Sequence, residues 1–126
     1  MTIDDPQVVA EVTAAFHAYE AALMADDVPA MDRLFHDHPS TIRYGVGEVL
    51  YGADAIRAFR KGRGGSPQRR LGTVAIHAFG RNFATANAEF FREGDPRRGR
   101  QSQSWVRFAD GWKVVAAHVS IEGTGS

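Results

Sequence analysis

The chain has 126 residues, 44% of them hydrophobic and 24% charged, which is enough for one cored domain and too few for two ordinary ones. It contains no cysteine, so disulfides, thiolate zinc sites, iron–sulfur clusters and a cysteine nucleophile are excluded. Net charge is zero but uneven: residues 1–50 hold nine acids and two bases, and residues 51–126 hold thirteen bases and six acids.

A basic half prompts a nucleic-acid hypothesis. Here the arginines are scattered among strand-like runs and turns and form no single stripe. The acidic half is expected to fold against them, so no nucleic-acid partner is expected. A smaller consequence is that some arginines suit an anionic small molecule, because a guanidinium fork fits a carboxylate. No apolar stretch is long enough to span a membrane, and Met1–Pro6 is no secretory signal. No membrane partner and a cytoplasmic location are the expectations, with one domain over residues 1–126 and a disordered tail over Gly123–Ser126.

In chain order, Pro6 follows Asp4 and Asp5, a helix-start pattern. Val9, Val12, Phe16, Tyr19 and Leu23 then recur at three- and four-residue steps, which predicts an amphipathic helix over Gln7–Ala25. Pro29 restarts a short helix, Ala30–Phe35, and Asp37-His38-Pro39 reads as a loop. The period then shortens. Thr41–Val46 and Glu48–Gly52 predict two short strands in a hairpin punctuated by Gly45, Gly47 and Gly52. Asp54 is expected to cap a helix over Ala55–Lys61, and Gly62–Arg70 reads as a mobile loop. Four strand-like runs follow: Leu71–Phe79, Asn82–Arg92, Gln101–Phe108 and Trp112–Ile121. Their short connectors predict an antiparallel meander. Helices followed by strands indicate α+β. Helices laid across one face of a strongly curved sheet form a cone whose open end is a natural pocket.

Most catalytic motifs are missing: no Gly-rich phosphate loop, no GxSxG elbow, no HExxH and no calcium loop. His36 and His38 bracket Asp37 before a proline and read as solvated, so no metal site is assigned. Strand positions are more informative. Alternation puts Asn87 and Glu89 on one face with Phe83, Thr85 and Phe91, and Ala84, Ala86, Ala88 and Phe90 on the other. It groups Gln101, Gln103, Trp105 and Arg107, and puts His118 and Ser120 with Trp112, Val114 and Ala116. Such mixtures of aromatics, amides, an acid and an imidazole make either a polar pocket or a wet subunit interface. Tyr19 falls on the inward helix face, where it is either a core tyrosine or a functional phenol. Arg43 sits mid-strand among Ile42, Tyr44 and Val46; it must be paired, for example with Glu48 or Glu89, or face a wet cavity.

On the segments Thr13–Leu23, Thr41-Ile42-Arg43-Tyr44-Gly45-Val46-Gly47-Glu48, Tyr51–Arg60, Phe79–Asn87, Gly99-Arg100-Gln101-Ser102-Gln103-Ser104-Trp105 and Gly111–Ser120, the chain resembles the AtzH/HpxZ-type family. That family lies within the SnoaL-like group of the nuclear-transport-factor-2 (NTF2) fold. The resemblance implies an NTF2-like cone, commonly a homodimer through the sheet, with a small anionic substrate. The AtzH type is a cofactor-free decarboxylating amidohydrolase that converts 1,3-dicarboxyurea to allophanate; the HpxZ type belongs to oxalurate breakdown. By motif, the implicated helix tyrosine and strand arginine fall on Tyr19 and Arg43. On this expectation Arg43 grips a carboxylate and Tyr19 donates a hydrogen bond or proton. Gln103 and Asn87 orient the ureido group, Trp105 adds to the substrate site, and His118 or Glu89 assists proton transfer. Gly62–Arg70 matches no motif of the family and is placed to alter the pocket mouth. Two other function classes stay open: a non-catalytic ligand-binding or accessory protein of an amidase pathway, and an isomerase or cyclase with an apolar pocket and a carboxylate base.

Overall fold

The computed structural model describes residues 1–123, and the expected tail beyond Gly123 lies outside the described residues. Three helices are followed or interrupted by six strands: α1 (Pro6–Met24), α2 (Val28–Arg33), β1 (Ile42–Tyr44), β2 (Val49–Tyr51), α3 (Ala53–Arg63), β3 (Arg69–Phe79), β4 (Phe83–Arg92), β5 (Gly99–Phe108) and β6 (Gly111–Ile121).

Helix α1 begins where the Asp5 carboxylate accepts a hydrogen bond from the Gln7 N–H at 3.0 Å, with Pro6 in the first turn. Its apolar stripe, Val8, Val12, Phe16, Tyr19, Ala22 and Leu23, is buried. It ends at Met24 with Ala25 as its cap, and Asp26, at a φ of 53°, turns the chain back. Asp27 then caps α2 through the Ala30 N–H at 3.2 Å. Helix α3 starts two residues earlier than the sequence predicts. Its cap is Gly52, without a side-chain bond, while Asp54 sits inside the first turn and pairs with Arg57. It also runs on to Arg63, so the segment expected to be loop shrinks to residues 64–68 between α3 and β3.

The sheet order is β2-β1-β6-β5-β4-β3. The four long strands form the expected antiparallel meander, but β1 joins β6 in parallel, Arg43 lying opposite Ala117. The sheet is therefore mixed, not purely antiparallel. The reason is the chain path: α3 and the meander intervene between the hairpin and β6, which frees β1 to approach that edge in either sense. The curved sheet carries the helices on one face, an α+β arrangement. Between them lie Phe16, Met31, Phe90, Trp105 and Val114, each at most 1% exposed. Burial of each such side chain contributes roughly 1.5–3 kcal/mol. The Trp112 indole N–H donates to Glu11 at 3.0 Å and ties α1 to β6.

The opposed charges of the two halves meet across these layers: Glu20 with Arg69, Asp32 with Arg60 and Asp37 with Arg57. Among the described residues no helix is long and apolar enough to cross a membrane.

Candidate functional site

A cavity of about 120 Å³ lies between α1, the β1–β2 turn, α3 and the inner face of β5 and β6. Tyr19 and Leu23 reach it from α1, Arg43 from β1, Glu48 from the turn, and Phe59 and Arg63 from α3. Gln101 and Gln103 form its floor, Arg69 and Arg92 stand at the strand ends, and Ser66 and Pro67 close it from the α3–β3 loop. A wider surface groove of about 550 Å³ shares Arg69 and Arg92 with it.

Tyr19 is 5% exposed. Its phenol oxygen accepts a hydrogen bond from Arg60 Nη2 at 3.5 Å, which leaves the phenol hydrogen free to donate. Arg60 is itself almost fully buried, pairs with Asp32 at 2.9 Å and lies 4.1 Å from the centroid of the Phe35 ring. That guanidinium is a fixed support behind the phenol and does not line the cavity.

Arg43 is 8% exposed, and its Nη1 donates to Glu48 Oε1 at 2.6 Å. The turn between them makes the pair possible. Gly45 donates its N–H to the Glu48 carbonyl at 2.9 Å, and a Cβ on Gly45 would overlap the Glu48 carboxylate. Glu48 thus enters the cavity as its one lining carboxylate among the described residues.

On the floor, Arg69 binds Glu20 through two nitrogens, at 2.9 and 2.6 Å, and also donates to Gln101 Oε1 at 3.0 Å. With its oxygen so engaged, the Gln101 amide nitrogen is buried with no partner among the described residues. Gln103 is held the same way, its Oε1 accepting from the Trp105 indole N–H at 3.0 Å. Both amides are therefore oriented with their N–H groups left over, ready for a ligand carbonyl or carboxylate.

Arg63 is the most exceptional of the cations. It has no carboxylate within salt-bridge distance among the described residues, and its Nε is buried without a partner. Loss of water lowers its pKa from the ordinary guanidinium value, and the Arg43 charge adds to this.

Of the sequence-predicted site residues, Tyr19, Arg43 and Gln103 line this one cavity. Trp105 does not: it is fully buried and acts through Gln103. Asn87, Glu89 and His118 lie on the opposite face of the sheet, so the expectation that they meet the same ligand fails. The register explains the first two. Ala86 and Ala88 stand opposite Gln103 and Gln101, whereas Asn87 stands opposite Ser102 and Glu89 opposite Arg100. The small alanine face is the inward one. Asn87 instead accepts a hydrogen bond from Ser102 Oγ at 2.6 Å, and Glu89 pairs with Arg98 at 3.2 Å. His118 is turned out by a bulge. Ser104 pairs with Ala116 but Trp105 with Val114, so Val115 is an extra residue and the alternation of β6 resets. Ala117 and Val119 then line the cavity, and His118 packs edge-on against Tyr44 on the outer face.

A family model for AtzH-like proteins matches residues 1–125. The chain belongs to the AtzH-like family. No curated protein matches it. Among solved structures, a cystatin-like fold protein from Burkholderia xenovorans is 45% identical, with 99% of each chain covered and a TM-score of 0.95. A protein of unknown function from Pectobacterium atrosepticum is also 45% identical, with 96% of this chain and 95% of that one covered and a TM-score of 0.93. An NTF2-like superfamily protein from Salmonella enterica, at 26% identity and a TM-score of 0.77 over 95% of each chain, places this AtzH-like chain among NTF2-like folds.

The residues that sequence reasoning did not assign to the site are Phe59, Arg63, Arg69, Arg92, Gln101 and Glu48, the last named only as a partner for Arg43. Gln101 carried a usable signal, since it shares the face of Gln103 two residues on. Arg63 and Arg69 carried only a diffuse signal, as arginines of a segment read as loop at the pocket mouth.

Proposed function

We propose that this AtzH-like protein is an enzyme that binds a small carboxylated urea or ureido acid and cleaves it as a cofactor-free decarboxylating amidohydrolase. The observation that carries the proposal is the make-up of the cavity: four guanidinium groups, one carboxylate, two oriented amides and a phenol around about 120 Å³. A positive, partly desolvated hollow of that size favours a small anion rich in carbonyl oxygens.

In the proposed step, the free N–H groups of Arg43 hold the carboxylate that stays on the product. The second, departing N-carboxylate loses its charge as CO2 leaves, so a cation that holds it in the ground state contributes to affinity and not to rate. The electron pair of its N–C bond remains on nitrogen, which takes the proton from Tyr19; water then restores the phenol. The dicarboxylated urea thus consumes one proton and yields a monoanion and CO2. Gln101 and Gln103 donate to the central carbonyl oxygen.

The test is incubation of the purified protein with 1,3-dicarboxyurea, alone and with a partner amidase. Product formed by the protein alone supports the enzyme. Product formed only in the mixture supports an accessory, ligand-binding role. Isomerase or cyclase chemistry on an apolar substrate is disfavoured by the same guanidiniums, since the one lining carboxylate is already paired with Arg43.

We also propose that two copies pair through the outer sheet face, where Tyr44, Asn87, Ser102 and His118 lie together. A monomer by sedimentation at micromolar concentration would contradict that.

A further inference from the structure

The charges around the cavity do not cancel. Arg43 is matched by Glu48 at 2.6 Å, and Arg69 by Glu20 at 2.6 Å. Arg63 and Arg92, which also line the cavity, have no carboxylate within salt-bridge distance among the described residues. Arg92 is half-buried where the cavity and the outer groove meet, and none of its nitrogens is both shut off from water and without a partner. Arg63 is different. Its Nε is shut off from water and has no partner, and it lies 5.4 Å from the centroid of the Phe59 ring. Arg43 lies at the same 5.4 Å from that ring, so two cations share one aromatic platform. An unpaired, partly desolvated cation beside a second one is costly unless an anion joins them.

We propose that Arg63 is the specificity residue of this site: it takes a second carboxylate of the ligand and makes the cavity selective for dianions over monoanions. The inference rests on the proposed function, because it concerns the same cavity, but it is a statement about binding alone. The position suits the role. Arg63 is the last residue of α3, and Gly64, with φ of 75°, turns the chain away so that the side chain stays beside the cavity. Its planar fork keeps several donors in one plane, which a lysine would not supply.

The test uses stable probes in place of the reactive substrate. Glutarate carries two carboxylates at the spacing of a dicarboxylated urea; its monomethyl ester keeps the shape and loses one charge. Calorimetry at neutral pH should show wild-type protein binding glutarate at least about tenfold more tightly than the ester. In Arg63→Gln that ratio should collapse to near one, through weaker glutarate binding with ester binding unchanged. Arg63→Lys should recover only part of it. A variant that loses both ligands equally shows a merely structural role and overturns the inference. So does wild-type protein that binds the two equally or binds neither at millimolar concentration. Failure to turn over ureido acids, with the glutarate preference intact, overturns the proposed chemistry and not this assignment.

Discussion

Arg43 and Glu48 form an ion pair at 2.6 Å inside the cavity, across a turn that Gly45 keeps open. The strand arginine is therefore not a bare cation waiting for a ligand. Glu48 holds it through Nη1 and competes with a carboxylate for it. Replacing Glu48 by Gln removes that competing charge. Glutarate affinity should rise by about 1 kcal/mol, roughly fivefold, as measured by calorimetry. Unchanged or weaker binding would show that Arg43 does not meet the ligand.

Tyr19 offers a cleaner separation of chemistry from packing. Tyr19→Phe keeps the ring that packs against Phe35, at a centroid distance of 5.5 Å, and removes only the hydroxyl. The variant should fold with a near-normal melting temperature and turn over a ureido acid ~10²–10⁴ more slowly. Full activity would remove the phenol from the reaction.

Arg60 is expected to behave in the opposite way. It is buried, pairs with Asp32 and supports Tyr19 from behind. Arg60→Ala strands Asp32, whose side chain remains 25% exposed and so keeps some hydration. The loss of stability should be about 2–3 kcal/mol by urea denaturation, below the range for a fully buried pair.

Gly99 couples the core to the cavity floor. A Cβ there would overlap the Phe90 ring, and Arg69 stacks on that ring with 4.3 Å to its centroid. Gly99→Ala should cost about 1–3 kcal/mol through overpacking and displace Arg69 from Gln101. A stable variant with wild-type ligand affinity would contradict the coupling.

The surface turn after β4 gives a pH prediction. Asp95 is lowered from 3.8 to about 2 by hydrogen bonds from the Arg97 side chain and backbone. A carboxyl lowered on folding contributes stability above its unfolded value and loses it as pH falls through the folded one. Asp95→Asn should therefore be slightly less stable than wild type at pH 5–7, with the gap closing between pH 4 and pH 2. A gap independent of pH would rule out the charge as its source.

The helix layer and the meander were legible in the sequence because their apolar periods are regular: Val12, Phe16, Tyr19 and Leu23 on a helix, and the alanines of β4 on a strand. The inward face of each strand was less legible. Alternation groups residues but does not say which group faces the helices, and β4 buries small residues while β5 buries amides. Val115 changed the phase of β6 through a bulge that no local residue signals. Arg63 was hidden for a different reason. Its segment reads as glycine- and arginine-rich loop, and only the tertiary packing of α3 carries its last turn to Phe59 and the cavity. The pairing of Arg43 with Glu48 was one of the sequence alternatives, and the structure combines it with the other, a polar cavity.

On the proposed function, a small carboxylated anion lies between Arg43, Arg63 and Tyr19. The most direct measurement is a crystal structure of the protein with glutarate bound. One carboxylate on Arg43 and the other on Arg63, with the chain between them beside Tyr19 Oη, is the expected result. Glutarate seated outside the cavity, or a cavity that stays empty at saturating ligand, would contradict it.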